Sequence, residues 1–302
     1  MVESLNIKNL SSGETKHFDM SDAAYLIYEG AIDWGKVDVS HNTFQFPTQI
    51  GQYISSTVIG SRDVSINGWI IGDSLEEIQN KKMELSNFLN PLDEVQILVD
   101  NYSIVGKPSS NVQFGKTLVE NSDVAVKFLI QIFCPQALFL LKNYNTTDIA
   151  QIIGAFHFPL ILKKSGIPMG YKKQSLFAEV VNDGAIDIGM KIVIEALGTV
   201  NNPEILNVNT HERIRMNKVL KSGEKVTIST IIGERDVIGE LNGEESDYFK
   251  YFDIDSTWLQ LRKGTNVLTY RTYDSSGDQD ETYKNLNVYV EYKTALLNLV
   301  GE

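Results

Sequence analysis

The sequence has only one cysteine, Cys134, in 302 residues. This scarcity excludes disulfide bonds within the chain and zinc sites built from several thiolates. Cys134 lies in the apolar run FLIQIFCPQALFL, and apolar surroundings disfavour the thiolate form of a cysteine. The residue is therefore predicted to be a small buried hydrophobe and not a nucleophile.

Long hydrophobic runs are also missing. The most apolar stretch, residues 137–141, is far shorter than the ~20 residues that an α-helix needs to cross a bilayer. The first ten residues, MVESLNIKNL, have no apolar signal-peptide core. These absences predict a protein that is made in the cytoplasm and has no membrane partner.

Positively charged residues are fewer than negatively charged ones. The formal net charge is -12. Residues 1–136 hold 9 Lys and Arg against 17 Asp and Glu, a net charge of -8. The remaining residues hold 18 Lys and Arg against 22 Asp and Glu, a net charge of -4. A protein that grips nucleic acid needs a basic face to displace counterions from the phosphates. The composition therefore argues against specific binding of DNA or RNA.

Motifs of common enzymes are absent. The sequence has no Gly-x-Gly-x-x-Gly, Walker loop, Gly-x-Ser-x-Gly or His-Glu-x-x-His. Its four histidines, His17, His41, His157 and His211, do not fall at metal-ligand spacing. We therefore expect no catalytic residues, no cofactor and no metal, and we predict that the protein is not an enzyme.

Two acidic arrangements keep other functions open. Glu179 and Glu195 are predicted on adjacent strands. A pair of carboxylates is the catalytic group of most glycosidases, although carboxylates on the solvated face of a strand are commoner. The loop Asp274–Glu281 offers oxygen ligands for calcium but lacks the EF-hand order, so a flexible acidic hairpin loop is the better interpretation.

The stretch GSRDVSINGWII (residues 60–71) is the clearest strand. Val64, Ile66 and Ile70 fall on one face of an extended segment, and polar residues alternate with them on the other. Gly68 interrupts the apolar face, which indicates a bulge or the close approach of another backbone. One face of this strand is therefore predicted to meet a core.

A well-marked helix follows at about residues 74–90. Ser74 and Glu77 fit the capping-box pattern, in which the serine hydroxyl and the glutamate carboxylate each accept an unpaired backbone N–H, and Asn90-Pro91 ends the helix. Polar residues such as Lys81 are predicted on the outer face. The apolar stripe consists of Leu75, Ile78, Leu85, Phe88 and Leu89.

The rest of the chain predicts mainly β structure in two domains. Residues 95–105 form a predicted hairpin with a turn near Asp100-Asn101, and residues 124–134 a long strand. After about residue 137, short strands alternate with turns such as Leu241-Asn-Gly243, which is typical of an antiparallel β-sandwich. We predict an N-terminal β domain with one amphipathic helix at 1–136 and a C-terminal sandwich at 137–302.

The order of these motifs resembles the phage distal tail protein (Dit) family of siphovirus-type tail components. In the first half the resemblance rests on Ile32-Asp-Trp-Gly35, the Gln49-Ile-Gly51 step and Arg62-Asp-Val-Ser-Ile-Asn-Gly68, followed by the helix and Asn90-Pro91. In the second half it rests on the Asn-Pro, Gly-Glu, Asp-Ser-Thr and Gly-x-Asn turns between residues 182 and 270. It covers nearly the whole chain.

This resemblance implies a structural role in the virion, at the distal tip of the tail. The family forms a ring, usually a hexamer, that links the tail tube protein to a tail-associated hub or fibre protein, with receptor-binding proteins as further partners. The channel of the ring lets DNA pass without specific binding, which an acidic lining favours. The second domain resembles a galectin-like or carbohydrate-binding-module-like sandwich, so a carbohydrate-binding protein that engages the host wall is the alternative function.

The predicted functional positions follow from these assignments. Trp258 is the candidate sugar contact, although its neighbours Leu259 and Leu261 favour a strand residue that faces the core. The candidates for the subunit interface and its scaffold are Arg62, Trp69, Leu75, Ile78, Leu85 and Phe88.

Overall fold

A computed structural model describes residues 4–22, 24–48, 50–116, 124–154, 170–173 and 177–299. The chain divides into two compact units. The first unit comprises Met1–Lys142 together with Leu296–Glu302, and the second comprises Asn143–Ala295. Among the described residues, no helix combines the length and the apolar character needed to cross a membrane.

The first unit contains one α-helix and a large sheet. In chain order its elements are β1 (Ser4–Asn9), β2 (Thr15–Asp19), β3 (Tyr25–Leu26), β4 (Ile32–Asp33), β5 (Val37–Phe44), β6 (Tyr53–Ile71), α1 (Leu75–Phe88), β7 (Val95–Val99), β8 (Tyr102–Pro108), β9 (Gln113–Phe114), β10 (Ala125–Cys134) and β11 (Phe139–Leu141). Within the described part of the chain these strands and β25 (Ala295–Leu296) form a 12-stranded sheet, with the order β25-β11-β8-β7-β1-β2-β3-β6-β10-β9 and with β4 and β5 paired to β6.

The strand predicted at residues 60–71 is confirmed as the second half of β6. Val64, Ile66 and Ile70 are buried, as their alternation predicts. From Arg62 to Ile71 the strand pairs antiparallel with β10. A Cβ on Gly68 would overlap the Phe128 ring and lie 2.6 Å from the carbonyl oxygen of Leu26. The glycine therefore allows close packing, one of the two roles predicted for it.

The helix α1 begins after Ser74, as predicted. The Ser74 hydroxyl accepts the backbone N–H of Glu77 at 3.2 Å, and the Glu77 carboxylate accepts the N–H of Asp73 at 2.8 Å. The glutamate thus reaches back to the residue before the cap, not to the cap itself. Of the predicted apolar stripe, Ile78, Leu85, Phe88 and Leu89 are buried.

Leu75 is the exception, because its side chain is 52% exposed. It is the first helical residue, and contact between α1 and the core begins one turn later at Ile78. The prediction that Leu75 belongs to the buried stripe is wrong. The long strand predicted at residues 124–134 is confirmed as β10 except at its first residue, because Val124 lies outside the strand and is exposed.

The second unit is built almost entirely from antiparallel strands. Its elements are β12 (Asn145–Gly154), β13 (Gly170–Lys173), β14 (Ala178–Asn182), β15 (Lys191–Ala196), β16 (Val200–Asn201), β17 (Glu204–Asn207), β18 (Arg213–Arg215), β19 (Val219–Leu220), β20 (Lys225–Ser229), β21 (Asp236–Leu241), β22 (Glu244–Asp247), β23 (Gly264–Arg271) and β24 (Leu286–Tyr292), with two 3-10 helices at Phe249–Tyr251 and Thr282–Asn285. Its described residues form a seven-stranded sheet, β13-β12-β24-β15-β20-β21-β22, and a four-stranded sheet, β14-β23-β17-β18, beside a small β16-β19 pair. The predicted mainly β class is confirmed.

Residues near the predicted domain boundary pack with the first unit. The predicted second domain began at residue 137 and ran to the C-terminus, yet β11 pairs with β8 and buries Phe139 in the core of the first unit. Leu296 and Leu299 also pack against that core. The second unit is therefore an insertion between residues 142 and 296 of the first.

Candidate functional site

A two-stranded hairpin stands apart from the core of the first unit. Residues Tyr53–Ile59 of β6 pair with β5 alone, whereas pairing with β10 starts only at Arg62. We call the segment Val37–Ile59 the hairpin arm. Its β5 residues after Val37 are all exposed, and so are the first seven residues of β6. An isolated two-stranded ribbon is marginally stable in water, so the arm is a segment that gains from contact with a partner.

Exposed apolar side chains occur on both faces of the hairpin arm. The register pairs Val39 with Ile59 on one face, Val58 lies on the other, and Ile54, which follows a register shift, returns to the first face. All four are exposed. A strand that belongs to the surface of a subunit shows apolar residues on one face only, so neither face of the arm has the composition of a solvated surface.

The tip of the arm carries a cluster of aromatic rings. Phe44 stacks on Tyr53 with ring centroids 5.5 Å apart, and Phe46 packs edge-on to Phe44 at 5.3 Å. Each of the three rings remains about half exposed. Residue Gln49 of the Gln49-Ile-Gly51 step lies outside the described residues, and Gly51 adopts a positive φ of 94°.

The arm is also almost free of charge, with Asp38 near its base as the one charged residue. From Val39 to Ser61 the sequence has no Asp, Glu, Lys or Arg, although 22% of the whole chain is charged. Exposed strands usually carry charged residues or proline that block pairing with another chain, and in the arm only Asp38 and Pro47 are of this kind. The sequence reasoning missed this segment, and the 23-residue uncharged stretch is the signal that could have found it.

Most of the predicted interface residues lie inside the first unit. Arg62, Ile78, Leu85 and Phe88 are buried within the subunit, so they support its fold and do not present a contact surface. Trp69 is half-buried on β6 opposite Lys127. Leu75, at the start of the helix, is exposed. The structure therefore does not bring these positions together as one surface.

Arg62 ties the end of the chain to the first unit. Its guanidinium donates to the backbone carbonyl of Leu297 and, at 3.4 Å, to Oδ1 of Asn298, and it lies 4.8 Å from the centre of the Phe139 ring. Only 1% of the residue is exposed. Hydrogen bonds to a charged group are stronger than those between neutral groups, so Arg62 is a clamp for the segment Leu297–Leu299.

The residues considered for catalysis do not form a site. Cys134 is fully buried, and burial raises the pKa of its thiol to about 12, as expected for an inert cysteine. Glu179 lies on β14 in the four-stranded sheet, whereas Glu195 lies on β15 in the seven-stranded sheet and accepts a hydrogen bond from Asn287 at 2.8 Å. The prediction that Glu179 and Glu195 lie on adjacent strands is wrong, because their two strands belong to different sheets.

The candidate metal ligands are used within the protein. Asp274 accepts the backbone N–H groups of Ser276 and Asp278, and Asp280 accepts hydrogen bonds from three neighbouring side chains. His17 and His41 contact polar neighbours, His211 lies in a turn, and His157 is outside the described residues. Among the described residues, no three His, Cys, Asp or Glu side chains are placed to hold a metal ion.

Trp258 does not face the core as its neighbours predicted. Leu259 and Leu261 are fully buried, so the alternation of side chains leaves Trp258 only partly buried. Its ring lies nearly parallel to that of Phe252, with centroids 4.7 Å apart, and Phe249 joins them at 6.1 Å. The spacing of these aromatic residues does not predict a flat cluster, because they lie on a 3-10 helix and irregular chain and come together only through the fold.

Two family models match the chain. Residues 31–134 match the phage tail protein RIFT-related domain, and residues 183–286 match the siphovirus-type tail component, C-terminal domain. The first match includes the hairpin arm, and the second includes the aromatic cluster around Trp258. No curated protein matches the sequence.

Solved structures share the fold at low sequence identity. The crystal structure of the Dit protein of phage SPP1, described as a paradigm of the hub adsorption apparatus in phages that infect Gram-positive bacteria, superposes with a TM-score of 0.66 and 13% identity, covering 96% of this chain and 98% of that one. A protein of the activated phage p2 baseplate with calcium matches with a TM-score of 0.50 and 13% identity, covering 99% and 100%. The same baseplate with strontium gives 0.50 and 13%, covering 97% and 99%.

Proposed function

The chain belongs to the distal tail protein family of siphovirus-type phages, and from this premise we propose that it is a structural subunit of a closed, hexameric ring at the tail tip. The observation that carries the proposal is the hairpin arm. It is exposed, carries apolar residues on both faces and has no charged residue after Asp38. A segment of this kind is stabilised when another chain covers it.

A second copy of the chain is the partner that best fits the arm. Copies with a net charge of -12 repel one another, and this electrostatic repulsion is weakest where the contacting surfaces are uncharged. An arm that reaches from each subunit onto the next makes a head-to-tail contact, in which two different surfaces meet. Such a contact closes into a ring when the rotation that relates neighbouring subunits divides a full turn into a whole number of equal steps. Closure prevents open-ended growth.

The role of this ring is mechanical and not catalytic. We propose that one side of it continues the tail tube, that the other side holds the hub or fibre protein of the tail tip, and that receptor-binding proteins attach around it. The excess of acidic residues in the first unit suits a channel for DNA, because like charge keeps phosphates from adhering to the wall. Its place in the virion follows from these contacts.

Removing the apolar character of the arm is expected to prevent assembly. In a variant with Phe44→Ser, Tyr53→Ser, Ile54→Ser and Val58→Ser, the contact loses most of the apolar area that holds it, at about 25 cal/mol per Å². We expect a shift from oligomer to monomer, measured as molar mass by light scattering during size-exclusion chromatography. The melting temperature should change little, because these side chains are outside the core.

A matched control replaces four exposed apolar residues elsewhere on the first unit, in the variant Leu10→Ser, Met83→Ser, Leu92→Ser and Val105→Ser. This variant should assemble like the wild type. If both variants assemble equally, the arm is not the contact. If both dissociate, general surface hydrophobicity and not the arm drives association.

A further inference from the structure

The second unit presents an apolar patch on the segment Tyr248–Trp258, which we call the aromatic turn. Phe249, Phe252 and Trp258 have nearly parallel rings, with interplanar angles of 15°, 17° and 29°. The Arg235 guanidinium lies 5.4 Å from the centre of the Trp258 ring. Phe249 is 51% exposed, and Ile254, which follows Phe252 by two residues, is 96% exposed.

Hydrogen bonds hold the aromatic turn in place from one end. The Tyr248 hydroxyl donates to the buried Glu224 carboxylate at 2.7 Å, and this bond raises the pKa of Tyr248 to about 12. The backbone N–H of Tyr248 donates to the carbonyl of Val237 on the neighbouring strand. The start of the turn is thereby fixed to β21 and to the loop before β20.

The middle of the turn is held as well. The Asp253 N–H donates to the carbonyl of Arg215, and the Ser256 hydroxyl accepts the N–H of Arg215 at 2.9 Å. The Asp253 carboxylate accepts the N–H of Asp255 and a hydrogen bond from Asn217, which together keep the pKa of Asp253 below its usual value. A turn fixed at so many points cannot fold its apolar residues inward, so Ile254 and Phe249 stay exposed.

Acidic residues outnumber basic ones in the segment that carries this patch. Residues 231–258 contain 8 Asp and Glu against 2 Lys and Arg, a net charge of -6, which is half of the net charge of the whole chain. The edge strand β22, which leads directly into the turn, has the sequence EESD and is exposed at every position. A partner for the patch therefore meets apolar side chains with the Arg235 guanidinium beside Trp258, and negative charge on the β22 side.

This combination favours a protein segment over a sugar. A sugar site pairs aromatic rings with polar side chains that are free to bind hydroxyl groups, whereas Asp253 is already engaged by Asn217 and Asp255. The most exposed apolar residue, Ile254, has no ring face on which a sugar could stack. Anionic glycans are opposed further by the acids of β22.

We propose that the aromatic turn is a docking site for a segment of another protein in which apolar side chains are flanked by lysine or arginine. The apolar side chains cover Phe249, Ile254 and the outer part of Trp258, and the basic residues meet the acids of β22. Charge complementarity of this kind speeds association and rejects acidic partners, including further copies of this chain. The site is independent of the hairpin arm, so either proposal can fail alone.

The test uses the full chain and a short fluorescein-labelled peptide in which two leucines are flanked by lysines, with fluorescence anisotropy as the readout. We expect the wild type to bind this peptide, and the variant with Phe249→Ser and Ile254→Ser to bind it at least about tenfold more weakly. The variant Glu244→Gln, Glu245→Gln and Asp247→Asn should lose affinity by several-fold, and this loss should shrink at high salt because salt screens the charges of β22.

The control variant changes two exposed apolar residues of the same unit, Val181→Ser and Val219→Ser, and should bind the peptide like the wild type. The same peptide with glutamates in place of lysines should not bind. Three results would overturn the proposal: no binding of the lysine peptide, equal weakening by the control variant, or displacement of the peptide by a neutral glucose oligosaccharide, which would make the patch a sugar site. Self-association of the full chain that is lost with Ile254→Ser would likewise assign the patch to a second copy.

Discussion

A Leu85→Asp variant is expected to lose the cooperative melting transition of the first unit or to melt at a temperature lower by about 10 °C or more. Leu85 is fully buried in the last turn of α1, in the core that the helix shares with the large sheet. Truncating a buried leucine costs about 2–5 kcal/mol, and an unpaired buried carboxylate adds several more. The sum approaches the whole stability of a domain, about 5–15 kcal/mol.

The matched control is Met83→Asp, which places the same carboxylate on the exposed side of the same helix. It should shift the melting temperature by only a few degrees. Lys81 is not a suitable control, although its position predicted an outer-face residue. Its ammonium donates to the Ile71 carbonyl at 2.6 Å and pairs with Glu77 at 2.7 Å, so an aspartate there would break two contacts. Equal melting of the Leu85 and Met83 variants would show that the assigned helix face is wrong.

The second large effect is expected from Arg62→Met, which removes the guanidinium but keeps a long unbranched side chain. The Leu297 carbonyl then loses its charged donor, and Asn298 and the Phe139 ring lose a contact. Such a loss costs about 3 kcal/mol. We expect a lower melting temperature and faster hydrogen exchange at Leu297–Leu299, measured by mass spectrometry.

Lys107→Met serves as the control for Arg62→Met. Lys107 lies on the same sheet and forms only an exposed ion pair with Glu94 at 3.7 Å, and such pairs contribute little. Its variant should leave both the melting temperature and the exchange of the C-terminal segment unchanged. If Arg62→Met behaves in the same way, the clamp does not hold the end of the chain.

Local structure could be predicted well where one face of a segment meets a core. The alternation of Val64, Ile66 and Ile70 and the spacing of Ile78 and Leu85 fix which side of each element is buried, because the side-chain period is a property of the backbone. The error at Leu75 has the same origin. Periodicity gives the direction of a side chain but not whether core residues lie opposite that end of the helix.

Contacts between distant parts of the chain could not be predicted in this way. The pairing of Arg62 with Leu297 spans 235 residues, and no local pattern marks it. For the same reason the sequence reasoning ended the first domain at residue 136 and omitted Phe139 and the C-terminal segment. A fragment used to study ring formation therefore needs Met1–Lys142 joined to Leu296–Glu302, since a fragment that ends at residue 136 leaves Arg62 without its partners.

The functional surfaces were hidden for a different reason. Sequence motifs mark chemistry-bearing residues, whereas the hairpin arm is defined by its scarcity of charge and by exposure on both faces. Exposure depends on pairing, and only the structure shows that Tyr53–Ile59 pairs with β5 alone. Trp258 is a partial exception, because applying the alternation of Leu259 and Leu261 to its own position would have placed it outside the core.

The central claim is that copies of this chain close into a ring through their hairpin arms. Native mass spectrometry of the purified full chain tests it most directly, because it counts the subunits in each complex. The account predicts a dominant complex of six subunits that falls apart to monomer in the Phe44, Tyr53, Ile54 and Val58 serine variant. A wild-type protein that remains monomeric at the highest attainable concentration, or that forms an unlimited series of sizes, would contradict it.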